Sequence, residues 1–127
     1  MKYKLWCKDK NEWEKDNWVI LPNGDLMWVE YGNLVGGVYM KNHILVKSTE
    51  FKDIEGKEIY EGDILKVQSK KYRDKDIKRP NLYVKWDRGQ FDVYGKYNCW
   101  EDSLWNYMNF YDVEVIGNIF ENYDLLK

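Results

Sequence analysis

Cysteine and histidine are nearly missing from this sequence: Cys7, Cys99 and His43 are all that its 127 residues contain. The two cysteines have no paired spacing of the kind that builds a disulfide framework, a zinc ribbon or a redox dithiol, and neither lies near the histidine along the chain. The histidine stands between Asn42 and Ile44 with no glycine-framed serine and no cysteine signature to serve as its nucleophile. Its expected place is a turn or a strand edge, and no catalytic residue is assigned. No glycine-rich phosphate loop occurs either, so neither a cofactor nor a metal is expected. A long apolar run is also lacking, since nothing approaches the roughly 18 residues that a membrane span requires. The opening Lys2-Tyr3-Lys4 carries no apolar leader, and a reduced, cytoplasmic setting without membrane contact is the expectation. Finally, no charge sign dominates. The 20 Lys and Arg against 22 Asp and Glu leave a net charge of −2, which gives no overall field toward nucleic acid or an anionic surface.

What the chain has in excess is aromatic rings: 7 Trp, 11 Tyr and 4 Phe, 17% of all residues. Aromatic and β-branched side chains suit half-buried pleated surfaces, so the composition leans toward sheet. The length fits one ordinary domain with a real core and room for two lobes. So many rings exceed what one small core hides, and exposed rings suit protein interfaces, stacking on bases or sugars, and subunit contacts.

Local patterns support a mainly β reading. Residues 2–8 alternate as a strand with Tyr3, Leu5 and Cys7 on one face. Trp18-Val19-Ile20-Leu21 and Leu26-Met27-Trp28-Val29 flank Pro22-Asn23-Gly24-Asp25, and Asn-Gly readily adopts the positive φ angles of a hairpin turn. Gly32-Asn33 permits a second reversal, residues 34–40 and 44–47 read as strands, and Gly36-Gly37 marks a bulge or close approach. From residue 51 onward short strands alternate with tight turns. Ile64-Leu65-Lys66-Val67 is expected to pair with Leu82-Tyr83-Val84-Lys85-Trp86, and Asp87-Arg88-Gly89 to lead as a three-residue loop into Phe91-Asp92-Val93-Tyr94. Trp100, Leu104, Tyr107 and Met108 share one face at helical spacing, with Asn98 and Glu101 as a capping pair, which predicts one short helix. A strand interrupted at Gly117 and a last helical turn at residues 121–126 complete the chain.

Two blocks stand out: Gly56-Lys57-Glu58-Ile59-Tyr60-Glu61-Gly62-Asp63-Ile64 and Val113-Glu114-Val115-Ile116-Gly117-Asn118-Ile119-Phe120-Glu121-Asn122. Both resemble the hallmark motifs of the YopX family, small proteins encoded by bacteriophages and prophages. The start, Lys4-Leu5-Trp6 followed by Asp9-Lys10, is similar to that family's usual opening. The resemblance implies an N-terminal β segment, residues 1–50, followed by a small SH3-like β-barrel with one short helix, residues 51–127. It implies no established biochemical activity. Glycines that permit unusual backbone, with alternating apolar positions between them, give both blocks a structural character.

Three groups of side chains invite a functional reading. Asp53, Glu55, Glu58, Glu61 and Asp63 crowd one stretch, where carboxylates serve an acid–base pair or a divalent ion, or simply cap turns and guard strand edges. Lys70, Lys71, Arg73, Lys75 and Arg79, followed by Tyr83 and Trp86, combine cations and rings as single-stranded nucleic acid or a nucleotide phosphate would require, although Asp74 and Asp76 weaken the field. A polar loop also needs charge for solubility alone. Trp100 and Trp105 stand five apart, about 140° around a helix, so one narrow stripe does not bury both. Either a wide core face between two lobes covers them, or Trp105 with Phe110 or Tyr111 forms a subunit or partner interface. The expected function is therefore a non-catalytic accessory module that binds a host or phage protein, with homo-oligomerisation open. The alternative is a binder of a nucleotide, another small molecule or nucleic acid, in a sequestering or anti-defence role.

Overall fold

Strand-forming residues separated by turns with left-handed backbone dictate most of what the computed structural model shows. It describes residues 2–71 and 79–127. The described residues divide into two compact units, one of residues 3–46 and one of residue 2 with 47–71 and 79–127.

The smaller unit opens with β1 (Tyr3–Cys7) and β2 (Glu12–Trp13), an antiparallel pair with Trp6 opposite Trp13 and Cys7 opposite Glu12. The expected alternation along β1 gives way at its end, because Leu5, Trp6 and Cys7 are all buried. Trp6 is hidden by Trp13, whose ring meets it edge-on at 5.0 Å. A three-stranded sheet follows: β3 (Trp18–Ile20), β4 (Leu26–Glu30) and β5 (Asn33–Gly37). The hairpin around Asn23-Gly24 forms as its sequence requires, with Gly24 at φ 91° and Ile20 paired with Leu26. The next reversal falls on Tyr31 and Gly32, both at positive φ, one residue earlier than Gly32-Asn33. A register shift between Trp28 and Val29 leaves Val35 without an opposite residue, next to Gly36. The strand expected to reach residue 40 ends at Gly37, and Met40–Asn42 form a 3-10 turn that leads into β6 (His43–Lys52). Leu5, Leu26 and Val38 are the buried centre of this unit, with Trp18, Trp28 and Leu45 packed around them.

In the larger unit the later part of β6 pairs with β7 (Glu58–Tyr60). A five-stranded antiparallel sheet contains β8 (Asp63–Ser69), β9 (Leu82–Asp87), β10 (Gln90–Gly95), β11 (Cys99–Ser103) and β12 (Tyr111–Asn118), in the order β11-β10-β9-β8-β12. The expected pairing of β8 with β9 is present, Ile64 against Tyr83 and Leu65 against Leu82. The β9–β10 turn is tighter than expected. Asp87 pairs with Gln90, leaving only Arg88 and Gly89 between them, both at positive φ. One helix, α1 (Leu104–Phe110), lies between β11 and β12. Ile59, Leu65, Val67, Leu82, Val84, Val93, Leu104 and Val113 form the core, and burying each such side chain contributes about 1.5–3 kcal/mol. The described residues are thus mainly β with one short α-helix, as the sequence indicated, and the sheets suit a small barrel. No described helix is long and apolar enough to cross a membrane.

The two hallmark blocks meet in this unit. Gly62 has φ 87°, and a Cβ there would lie 2.8 Å from Cε2 of Phe120. Its carbonyl accepts a hydrogen bond from Ile119 N at 2.8 Å. Gly117 follows a register shift in β12, and a Cβ on it would strike Asn122 at 2.6 Å. Just before the first block, buried Asp53 accepts hydrogen bonds from the amides of Glu55 and Lys57 through Oδ1 and from Val115 of the second block through Oδ2. Asp63 in turn accepts from Tyr60 N at 2.7 Å. Both aspartates of the acidic stretch therefore serve the backbone.

Candidate functional site

Helix α1 begins later than the capping pair Asn98/Glu101 implied. Lys96, Tyr97 and Asn98 form a 3-10 turn in which Tyr97 and Asn98 take φ 64° and 55°, and residues 99–103 then pair with β10 as β11. Ser103 is the actual cap, its hydroxyl oxygen accepting from Asn106 N at 3.2 Å. Asn98 instead accepts a hydrogen bond from the Tyr83 hydroxyl. Beside it, a cleft of about 420 Å³ is lined by Tyr97, Asn98, Tyr123, Lys96 and Lys127.

Because the helix is only two turns long, its core face is set by Leu104 and Tyr107, both buried, with Met108 packed beside them. Trp105 and Phe110 point about 140° apart, flanking the opposite, solvent-facing side. They are 63% and 61% exposed, and Trp100, on β11 and not on the helix, is 52% exposed. Both tryptophans thus escape the core, contrary to the reading in which a wide core face covers them. Tyr111 behaves differently: it is half-buried at the start of β12 and stacks on Tyr107 with ring centroids 4.3 Å apart. Burial is the main reason the Tyr107 hydroxyl holds its proton far above the ordinary phenol range.

The basic and aromatic candidates come together in part. Arg79 places its guanidinium 4.9 Å from the centre of the Tyr111 ring, and the Lys70 amide donates to the Phe110 carbonyl at 3.0 Å. Lys70 and Lys71 are exposed, while Arg73 and Lys75 lie outside the described residues.

One group of side chains was not legible in the sequence. Folding brings Cys7, Glu14 and His43 together, one potential ligand atom of each within 4.8 Å of the others. Separation along the chain does not exclude such a cluster, because β1, the segment after β2 and the start of β6 converge. Backbone bonds hold them, Glu14 N to Leu5 O and Lys8 N to Asn42 O, each at 2.8 Å. His43 Nδ1 lies 2.8 Å from the Tyr39 carbonyl and Nε2 lies 2.9 Å from Glu14 Oε2. Lys10 donates to the other carboxylate oxygen, Oε1, at 3.1 Å. Both ring nitrogens face oxygen atoms, so the imidazole is held between the Tyr39 carbonyl and the Glu14 carboxyl group. Burial alone would push the Glu14 carboxyl upward, but the hydrogen bonds from His43 and Lys10 outweigh it and hold the group below the ordinary carboxylate range. Trp28 covers the imidazole edge-on at 5.7 Å.

These features define a two-unit, antiparallel β protein whose larger unit displays aromatic side chains around the short helix α1. The family model described as "YopX protein" matches residues 2–127, and the chain belongs to that family. Among solved structures it is similar to protein yopX from Bacillus subtilis, with 26% identity, TM-score 0.66, and coverage of 98% of this chain and 97% of that one. It shares its fold with protein EF1440 from Enterococcus faecalis, at 21% identity and TM-score 0.65, covering 99% of this chain and 97% of that one. No protein with a curated description matches it.

Proposed function

We propose that this protein is a bacteriophage or prophage accessory protein that works without catalysis, binding a host or phage protein in the bacterial cytoplasm. The observation that carries this reading is the exposure of Trp100, Trp105 and Phe110 within one short stretch of the larger unit. Being more than half exposed, such rings forgo a large part of the about 1.5–3 kcal/mol that full burial gives each, and aromatic anchors dominate the energetics of protein interfaces. Asn106 and Asn109 stand between Trp105 and Phe110 on the solvent face, a polar surround that suits reversible docking. The test is recovery of the tagged protein from an infected bacterial host, compared with the Trp105→Ser/Phe110→Ser double variant. A stoichiometric partner protein that the double variant loses supports the reading. Equal recovery by both proteins refutes it, and self-association lost by the variant identifies the partner as a second copy.

A second reading rests on a different observation, the Arg79–Tyr111 stack beside Lys70 and Phe110. A nucleotide or single strand would place phosphate against Lys70, Lys71 and Arg79 and stack a base on an exposed ring. Replacing Lys70, Lys71, Arg73 and Lys75 with serine then abolishes binding and its salt dependence, whereas unchanged binding removes this alternative.

A further inference from the structure

The cluster of Cys7, Glu14 and His43 in the smaller unit offers a thiol, a carboxylate and an imidazole within 4.8 Å of one another. We propose that it is a binding site for a divalent transition metal of the zinc type, with three protein donors and water in the fourth position. Three independent features point the same way. First, the donor set is right: sulfur, imidazole nitrogen and a single carboxylate oxygen suit Zn(II), whereas magnesium and calcium demand oxygen alone. Bond lengths of about 2.0–2.3 Å place tetrahedral zinc ligands roughly 3.3–3.8 Å apart, so the cluster needs only a small contraction at its widest and a slight opening of the 2.9 Å His43–Glu14 contact.

Second, the ring is oriented as a ligand would be. With Nδ1 held by the Tyr39 carbonyl at 2.8 Å, Nε2 is the ring nitrogen turned into the cluster, 2.9 Å from Glu14 Oε2, and is the atom whose lone pair a metal would take. Lys10 occupies Oε1 and so leaves Oε2 for the cluster. A metal there would replace the hydrogen bond between Nε2 and Oε2 and the S–H of Cys7, and its binding releases the protons of both to solvent. Third, the surroundings are dry. The side chains of His43 and Glu14 are only 6% and 7% exposed, and Cys7 is buried. The unit itself spans only residues 3–46 and has Leu5, Trp6, Leu26, Val38 and Val46 as its buried apolar side chains besides Cys7, a core small enough that a metal staple contributes much of its stability.

Cobalt(II) provides the test, because a thiolate ligand gives it a charge-transfer absorption and tetrahedral geometry gives it intense visible bands. Cys99 is an exposed second thiol, so the full chain carrying Cys99→Ser is the starting protein. It is expected to bind one cobalt per chain, to show the thiolate band, to release the metal to zinc, and to melt higher with zinc than after chelation. Adding Cys7→Ser is expected to abolish the band. Glu14→Gln, which preserves side-chain shape and serves if the serine variant does not fold, is expected to weaken binding at least about 10-fold, the least that loss of even an outer-shell partner costs. Absence of the band in the starting protein, its persistence after Cys7→Ser, or unchanged affinity after Glu14→Gln overturns the proposal.

Discussion

Replacing Asp53 with alanine removes the acceptor that ties the turn before the first hallmark block to the second block. Its carboxylate receives three backbone N–H groups, from Glu55 at 2.9 Å, Lys57 at 2.8 Å and Val115 at 2.9 Å. Hydrogen bonds to a charged acceptor contribute about 1.5–3 kcal/mol each, but they do not add in full when the freed donor reaches water. Glu55 and Lys57 sit on an exposed turn, so their amides rehydrate after the substitution, whereas Val115 is half-buried in a strand. The expected loss is therefore about 3–5 kcal/mol, a large part of the total stability of a domain of this size. Asp53→Asn separates the contributions. Its amide oxygen still serves the turn, but its NH2 group faces the Val115 N–H, donor against donor, and the expected loss is about 1–3 kcal/mol. Urea unfolding followed by tryptophan emission measures both. A loss below about 1 kcal/mol for alanine, or an asparagine variant as stable as the parent, would refute the assignment of Asp53 as the link between the blocks.

Gly62→Ala combines a left-handed φ of 87° with a Cβ placed 2.8 Å from Phe120, and is expected to cost about 2–4 kcal/mol in the same assay. Leu104→Ala, at a site with 0% exposure, is expected to cost about 2–5 kcal/mol, and a smaller loss would mean that α1 does not close the core. Burial, reinforced by Glu58, raises the Tyr60 phenol to about 12, above its unfolded value of about 10. The folded state then holds a proton that the unfolded state gives up, so this contribution is complete below pH ~10 and is lost as pH rises toward ~12. Tyr60→Phe should accordingly flatten the alkaline arm of a stability-versus-pH curve, and an unchanged slope would contradict that origin.

What the sequence disclosed and what it hid have physical reasons. The hairpin at Asn23-Gly24 and the pairing of β8 with β9 were legible because a two-residue turn signal or a short alternating run determines them locally. The start of α1 was misplaced because Trp100 fits a helical period with Leu104, Tyr107 and Met108, while the left-handed turn at Tyr97 and Asn98 hands residues 99–103 to the neighbouring strand. Periodicity carries no information about an available sheet edge. The exposed rings were foreseen as a surplus, but the position of Trp100 on a strand was not. The cluster of Cys7, Glu14 and His43 was invisible for a third reason: its members converge only through tertiary structure. The available hint was that Cys7 and Glu14 flank the turn of the first hairpin, so pairing of β1 with β2 alone brings them near each other.

In the larger unit the two blocks build the fold, and the exposed rings are the surface proposed to engage a partner. A single comparison tests that division: the melting temperature and partner recovery of Trp105→Ser/Phe110→Ser beside those of Gly62→Ala, both purified from the same infected host. The ring variant is expected to melt like the parent and to lose its partner, while the glycine variant melts lower and still binds wherever it remains folded. A ring variant that melts much lower than the parent, or that retains the partner in full, would contradict it.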